Sequence, residues 1–129
     1  MSSNIVQINK FNNPNYKKRI KICMRGDKFQ MIPPKLNENS IIVAQINENG
    51  EYEGFIHCVI KDKILTFATG FTNENYRRKG ISTKLRLWIM KNIPNIDRYE
   101  SLTMPGSHSA KLLEKIGFYK ENGQMVYNK

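Results

Sequence analysis

A chain of 129 residues with 40% apolar and 25% charged residues can build one domain around its own core, and it is too apolar to be read as disordered. Its 21 basic and 11 acidic residues leave a formal charge of +10, a field that draws anionic partners, nucleic acid included, although a composition rich in Lys, Asn and Ile carries the same charge with no functional patch. No apolar run approaches the roughly 18 residues of a membrane span, and Met1–Ile5 lacks the blocks of a secretory signal, so the expectation is a cytoplasmic protein without a membrane partner.

Weak alternation over residues 4–11 predicts a first strand. Asn13-Pro14 reads as a helix start, Tyr16, Ile20, Cys23 and Met24 form its apolar stripe, and Gly26 supplies a left-handed end. Residues 27–39, with Pro33-Pro34, read as loop with room for a short helical turn at Phe29–Ile32. Three strands follow over Ser40–Asn47, Tyr52–Ile60 and Ile64–Thr72, joined by turns at Asn49-Gly50 and Lys61-Asp62-Lys63. The second is apolar on both faces and so reads as central, while Gly70 inside the third suggests a bulge or a close backbone approach. A helix is expected from about Gly80 to Asn92, buried through Ile81, Leu85, Trp88 and Ile89 and widened by Leu87 and Met90. Then come a fifth strand (Tyr99–Met104), a helix (Ser107–Ile116) and a hairpin around Asn122-Gly123. This order predicts one mixed sheet with helices on its faces, in a single domain over residues 1–129. Cys23 and Cys58 lack any CxxC or zinc spacing, so two reduced thiols and no metal are expected.

The segment with chemical character is Arg77-Arg78-Lys79-Gly80-Ile81-Ser82. A strand that runs through a glycine loop into a helix start gathers unpaired N–H groups and the positive end of the helix dipole, which together bind anions. Glycine lets the backbone come close to a phosphate, and three cations sit beside it. No GKS or GKT follows, and the pattern is not a dinucleotide fingerprint.

Three separated segments resemble the GCN5-related N-acetyltransferase family: Glu48–Phe55, then Tyr76–Ser82, where Arg77 and Gly80 match and Ser82 stands in for a small residue, and then Ala110–Phe118 with its Gly117-Phe118 strand start. The resemblance spans roughly residues 40–128. It implies an α+β fold with a mixed, mostly antiparallel sheet of six to seven strands flanked by about four helices. It also implies acetyl-coenzyme A as co-substrate, with no metal. The diphosphate would lie on Arg77, Arg78, Lys79, Gly80, Ile81 and Ser82, with Arg78 reaching the 3′-phosphate. The pantetheine arm would pair along the strand ending Phe71-Thr72, with Ser107 at the start of the last helix beside it.

Acetyl transfer to an amine needs a base, since a lysine-like amine has a pKa of about 10.4, and a proton for a thiolate whose pKa is about 8.5. Where relatives place an acidic Tyr on the last helix this chain has Leu113. Gly106 falls where many carry Asn, and Ser101 falls where some carry a glutamate base. Glu100, one residue away, is the candidate base. His108 in the last helix's first turn reads as solvated, His57 as a core or cleft residue, and Trp88 as packing.

The expected function is transfer of an acetyl group to an amine on a small molecule, a protein or tRNA, by a monomer or homodimer, with the acceptor between residues 14–36 and the last hairpin. Two other readings stay open: a coenzyme-A-binding module without turnover, and a small basic nucleic-acid-binding protein.

Overall fold

The computed structural model describes residues 3–28, 30–102 and 107–129, with His108 described by its backbone alone. Along them run strand β1 (Asn4–Gln7), helix α1 (Tyr16–Cys23), strands β2 (Ser40–Ile46), β3 (Tyr52–Lys61) and β4 (Ile64–Thr72), and a one-turn 3-10 helix (Glu74–Tyr76). Helix α2 (Ile81–Asn92), strand β5 (Arg98–Ser101), helix α3 (His108–Lys115) and strands β6 (Tyr119–Glu121) and β7 (Gln124–Asn128) complete the chain. The class is α+β. One seven-stranded sheet has the order β1-β2-β3-β4-β5-β7-β6 and is antiparallel everywhere except between β4 and β5. Among the described residues there are three α-helices where about four were expected, because residues 30–32 form no helix; Phe29 lies outside the described residues.

Local chemistry explains the meander. Asp62 and Lys63 take positive φ, 52° and 63°, so a two-residue turn whose twist suits the strands joins β3 to β4. At the β2–β3 turn Asn47 Oδ1 accepts the N–H groups of Asn49 (2.9 Å) and Glu51 (3.0 Å), an anchor beyond the Asn49-Gly50 pair. Helix α1 begins later than Asn13-Pro14 suggests: Asn13 Oδ1 accepts Asn9 N–H at 3.0 Å, and Pro14 stands in the turn before the helix. The first strand stops at Gln7 rather than residue 11, and the fifth runs Arg98–Ser101, its expected extension to Met104 lying partly outside the described residues.

The core has two layers. On one face α1 buries Tyr16, Ile20 and Cys23 against Ile42, Ala44 and Phe55. On the other, α2 buries Ile81, Leu85 and Ile89, and α3 buries Leu113, against Ile56, Leu65, Phe67 and Tyr99. Each such side chain contributes about 1.5–3 kcal/mol by leaving water, which fixes both helices on the sheet. Leu87 does not widen the α2 stripe; it is 47% exposed, and Trp88 and Met90 are half-buried. Cys23 and Cys58 are buried free thiols on opposite faces of the sheet. Burial pushes the Cys23 thiol up to about 12 and raises that of Cys58 as well, so both stay protonated.

Strand β4 opens the sheet. Among the described residues it pairs with β5 only from Ile64–Arg98 to Phe67–Ser101, then runs on to Thr72 beside β3 alone. His57 pairs with Thr69 and Cys58 with Phe67, so Ala68 is the extra residue of a bulge. The irregularity expected at Gly70 therefore lies two residues earlier, and Gly70 itself stays in register with Ile56.

Candidate active site

The unpaired end of β4 borders a cavity of about 850 Å³, within the usual range for small-molecule sites. Its walls are β4 from Phe67 to Thr72, the turn Tyr76–Arg78, the first half of α2, the end of β5 at Ser101 and Leu102, and Ser109 and Leu112 of α3. Beyond Phe67, strand β4 has a partner on only one side among the described residues. About half of its backbone N–H and C=O groups over residues 68–72 therefore face the cavity rather than another strand.

Helix α2 opens on the same cavity. Gly80 is its N-cap with φ 73°, a left-handed geometry that glycine takes without strain. The first intrahelical bond runs from Lys84 N–H to Gly80 C=O at 3.0 Å, which leaves the N–H groups of Ile81, Ser82 and Thr83 without helical partners. No side chain caps this end, and the first turn holds no acidic residue. At α3, by contrast, Ser107 Oγ accepts Ala110 N–H at 3.1 Å and closes the end. Position 80 has open space around it, with nothing within 4 Å of where a Cβ would stand.

The basic residues of the loop separate. Arg77 Nε donates to Thr72 C=O at 3.3 Å, and its guanidinium lies 5.4 Å from the Phe71 ring centre. Arg78, at φ 66°, is exposed on the cavity rim. Lys79 turns away: its Nζ lies 5.4 Å from the Tyr76 ring centre, beside a second cavity of about 340 Å³ with Glu48, Glu51 and Glu53 on its wall. Two of the loop's three cations, Arg77 and Arg78, thus stand at the first cavity.

Of the other residues singled out by sequence, Phe71, Thr72, Gly80, Ile81 and Ser82 lie on the cavity wall. Ser107 is engaged as the α3 cap, and the wall takes Ser109 and Leu112 from that helix. Leu113 is fully buried in the core. Glu100 lies on the sheet face opposite Ser101, where its Oε2 accepts Arg98 Nε at 3.2 Å and Gln124 Nε2 at 2.9 Å. His57 shares that opposite face across from Thr69; its Nε2 is buried without a hydrogen-bond partner, and burial lowers its pKa below the usual histidine value. Gly106 and the His108 side chain lie outside the described residues.

Arg86 had no assigned role from sequence. It lines the cavity from α2, donates through Nη1 to Ser82 Oγ, and packs its guanidinium 5.4 Å from the Phe67 ring centre. The signal available was its i+4 spacing from Ser82, which puts both on one helix face.

A mixed sheet with one parallel seam, prised open beside an uncapped helix start, defines the fold of the GCN5-related N-acetyltransferases. The solved structures this chain is similar to carry that fold. An aminoglycoside 6′-N-acetyltransferase complexed with coenzyme A superposes with a TM-score of 0.77 at 15% identity, covering 97% of this chain and 96% of that one. An acetyltransferase of the GNAT family from Staphylococcus aureus gives 0.67 at 17% identity, with 98% and 99% covered. The ribosomal-protein-S18-alanine N-acetyltransferase from Escherichia coli gives 0.69 at 12% identity, with 97% and 91% covered. At these identities the likeness is one of fold. No family model matches the sequence, and no curated protein matches it either.

Proposed function

We propose that this chain is an N-acyltransferase that binds an acyl-coenzyme A, acetyl-coenzyme A being the simplest, in the cleft between β4 and β5 and passes the acyl group directly to an amine. The observation that carries this reading is the meeting of an unpaired strand edge and an uncapped helix start in one cavity. The diphosphate would take the free N–H groups of residues 81–83, with Arg77 and Arg78 as counter-charges. The pantetheine amides would bond the edge of residues 68–72 as an added strand does. An N–H group on that edge would stabilise the oxyanion when the amine attacks the thioester carbon.

The donor would then occupy the α2–α3 side of the sheet, and the amine would approach from the side that carries α1. Two titratable groups flank β4 there: Glu100, paired with Thr66, and His57, paired with Thr69. Either can receive the amine proton, directly or through water. The departing thiolate has a pKa of about 8.5, so it leaves near neutral pH without a tyrosine at the position of Leu113.

The test is a melting scan with acetyl-coenzyme A, followed by release of free thiol across panels of small amines, peptides and tRNA. Ligand at about 100 times Kd adds about 2.7 kcal/mol of stability. Stabilisation with thiol release in one panel is expected. Stabilisation with none across all panels leaves a binding module, and no stabilisation by millimolar ligand refutes the reading.

A further inference from the structure

We propose that helix α1 and the loops on either side of it form a docking surface for single-stranded nucleic acid, with lysines on the phosphates and Phe11 stacked on a base. This surface is independent of the coenzyme A cleft. It lies on the side of the sheet from which the amine would approach.

The charge of the chain is unevenly spread. Residues 10–36 carry eight of its 21 basic residues and one of its 11 acidic ones, Asp27. A compositional drift toward lysine would scatter the positive excess; this stretch holds most of it in about a fifth of the length. Arg19 is turned to the β2–β3 turn, where its Nη2 lies 3.8 Å from the place of a Cβ on Gly50. Lys10, Lys17, Lys18, Lys21, Arg25 and Lys28 are exposed. Lys35, also exposed, is drawn back to the helix start by its neighbour, since Leu36 N–H donates to the Tyr16 hydroxyl at 3.1 Å. No ion pair among the described residues uses any of these seven, for both use Arg98. Tyr16, Ile20 and Cys23 are buried, so Lys17, Lys18 and Lys21 share the outward face of α1. Lys17 and Lys21 stand at i,i+4, a like-charge spacing that weakens a helix, and α1 holds no acid to offset it. A polyanion laid along this face would relieve that repulsion.

Beside this face an aromatic ring stands in solvent. Phe11 is 92% exposed, yet the turn that carries it is closed by three hydrogen bonds. Asn13 N–H donates to Asn9 C=O at 2.7 Å, Asn9 N–H to Asn13 Oδ1 at 3.0 Å, and Phe11 N–H to Asn9 Oδ1 at 2.7 Å. A further bond from Tyr16 N–H to Asn13 C=O, at 3.1 Å, joins this turn to α1 and keeps Phe11 next to the helix start. Cations that track a backbone and a ring that receives a base are the two parts of a single-strand site. A duplex stacks its bases on one another and offers Phe11 no face. A carboxylate-bearing protein would favour arginine, whose fork matches it, whereas six of the seven exposed cations are lysines, which meet phosphate as point charges. Phe11 and Ile32 protrude, but a bilayer surface binds an apolar helix face, and α1 turns its apolar residues to the sheet.

The experiment follows the fluorescence anisotropy of labelled uridine RNA and thymidine DNA strands of about 16 nucleotides, the scale of one single-strand site, over a salt series. An RNA duplex, poly-glutamate and phosphatidylserine vesicles serve as competitors. The expected result is binding of a single strand that weakens with salt at a log–log slope of about −3 to −5, which corresponds to about five to seven phosphates. The tighter of the two strands identifies the natural backbone. The triple variant Lys17→Gln, Lys18→Gln, Lys21→Gln should reduce the size of that slope by about 2. The triple variant Lys61→Gln, Lys111→Gln, Lys120→Gln makes the same change in net charge at exposed positions elsewhere and should leave the slope nearly unchanged. Phe11→Ala should weaken single-strand binding about fivefold or more and keep the slope. All these side chains are exposed, so the variants should melt with the wild-type chain. Equal losses in the two lysine variants would assign the affinity to overall charge and overturn the proposed surface. Equal competition by duplex, poly-glutamate or vesicles would overturn the choice of partner. A wild-type chain that binds neither strand at low salt would overturn the proposal whatever the variants do.

Discussion

Substitutions at Gly80 separate strain from charge at the proposed diphosphate cradle. The residue sits at φ 73° with nothing within 4 Å of an added Cβ, so alanine there meets no clash and bears only the left-handed backbone penalty. That penalty is about 1–2 kcal/mol, offset by about 0.4–1 kcal/mol because the unfolded chain loses freedom too. Gly80→Ala should therefore cost about 1 kcal/mol in the free protein, a drop of roughly 4 °C for a domain of this size. Gly80→Glu carries the same strain, but its carboxylate sits at an uncapped helix start and recovers about 0.3–1 kcal/mol, so the free variant should melt at or slightly above Gly80→Ala. With ligand the order reverses. A carboxylate about 4 Å from a phosphate charge is opposed by about 4 kcal/mol near a protein surface, enough to raise Kd by two or more powers of ten. At a concentration of about 100 times the wild-type Kd, stabilisation falls from about 2.7 kcal/mol to below about 0.5 kcal/mol. Differential scanning fluorimetry on the three proteins, with and without coenzyme A, reads both effects. A folded Gly80→Glu protein that keeps the wild-type shift would refute the cradle.

Two further perturbations test how the site is seated. A Cβ at Gly54 would lie 2.8 Å from Ile81 Cγ2 and 3.3 Å from Phe71 C=O, so Gly54→Ala should cost about 1–3 kcal/mol in chemical denaturation by pushing the first turn of α2 off β3. Ile81→Ala removes the opposing methyl, so the double variant should be less destabilised than the sum of the two, and strict additivity would show that the contact does not seat the helix. His57 has a pKa lowered from 6.5 by burial, so the unfolded chain binds more protons than the folded one once the pH drops below 6.5. The His57 contribution is then complete above pH 6.5 and is lost as the pH falls toward the depressed folded pKa. His57→Gln should flatten the melting temperature over that range, and an unchanged slope in the variant would show that another group sets it.

Features written in local chemistry were legible in the sequence. The stripe of Tyr16, Ile20, Cys23 and Met24 is buried as spaced, the Lys61–Lys63 and Asn122-Gly123 turns hold their positive φ, and β4 has the bounds its pattern implied. The glycine at the head of α2 was legible for the same reason, since a helix start needs only its own residues. Features set by pairing across the sheet were not. The bulge depends on how His57 and Cys58 meet Thr69 and Phe67, and Ala68 has no signature of its own, so Gly70 drew the attention. Lys79 was expected as a third cation at the phosphate site because it stands between residues with the same expected role. Positive φ at Arg78 and Gly80, on either side of it, turns the chain so that Lys79 points to Tyr76. Arg86 was hidden by its type: arginines on helices usually reach water, and only the packed structure shows this one held over Phe67 with a bare Nε.

The bulge and the seam also explain why a site stands here rather than elsewhere on the sheet. A parallel strand needs a crossover helix, and α2 supplies it, so its start must rise beside the end of β4. Had β5 followed β4 to Thr72, that helix start would face a finished sheet edge with nothing to bind. Because β5 pairs only as far as Phe67, the last five residues of β4 keep backbone donors and acceptors without a strand partner on that side among the described residues. Proteins usually pair or cover such an edge. Two or three amide bonds from a strand-like arm would return about 0.5–1.5 kcal/mol each, and the helix start would hold the arm's charged end. Neither element alone is selective, since any extended peptide fits an edge and any anion fits a helix start. Together they favour a ligand with an anion at one end and strand-like amides along an arm behind it, a description that the coenzyme A of the proposed function meets.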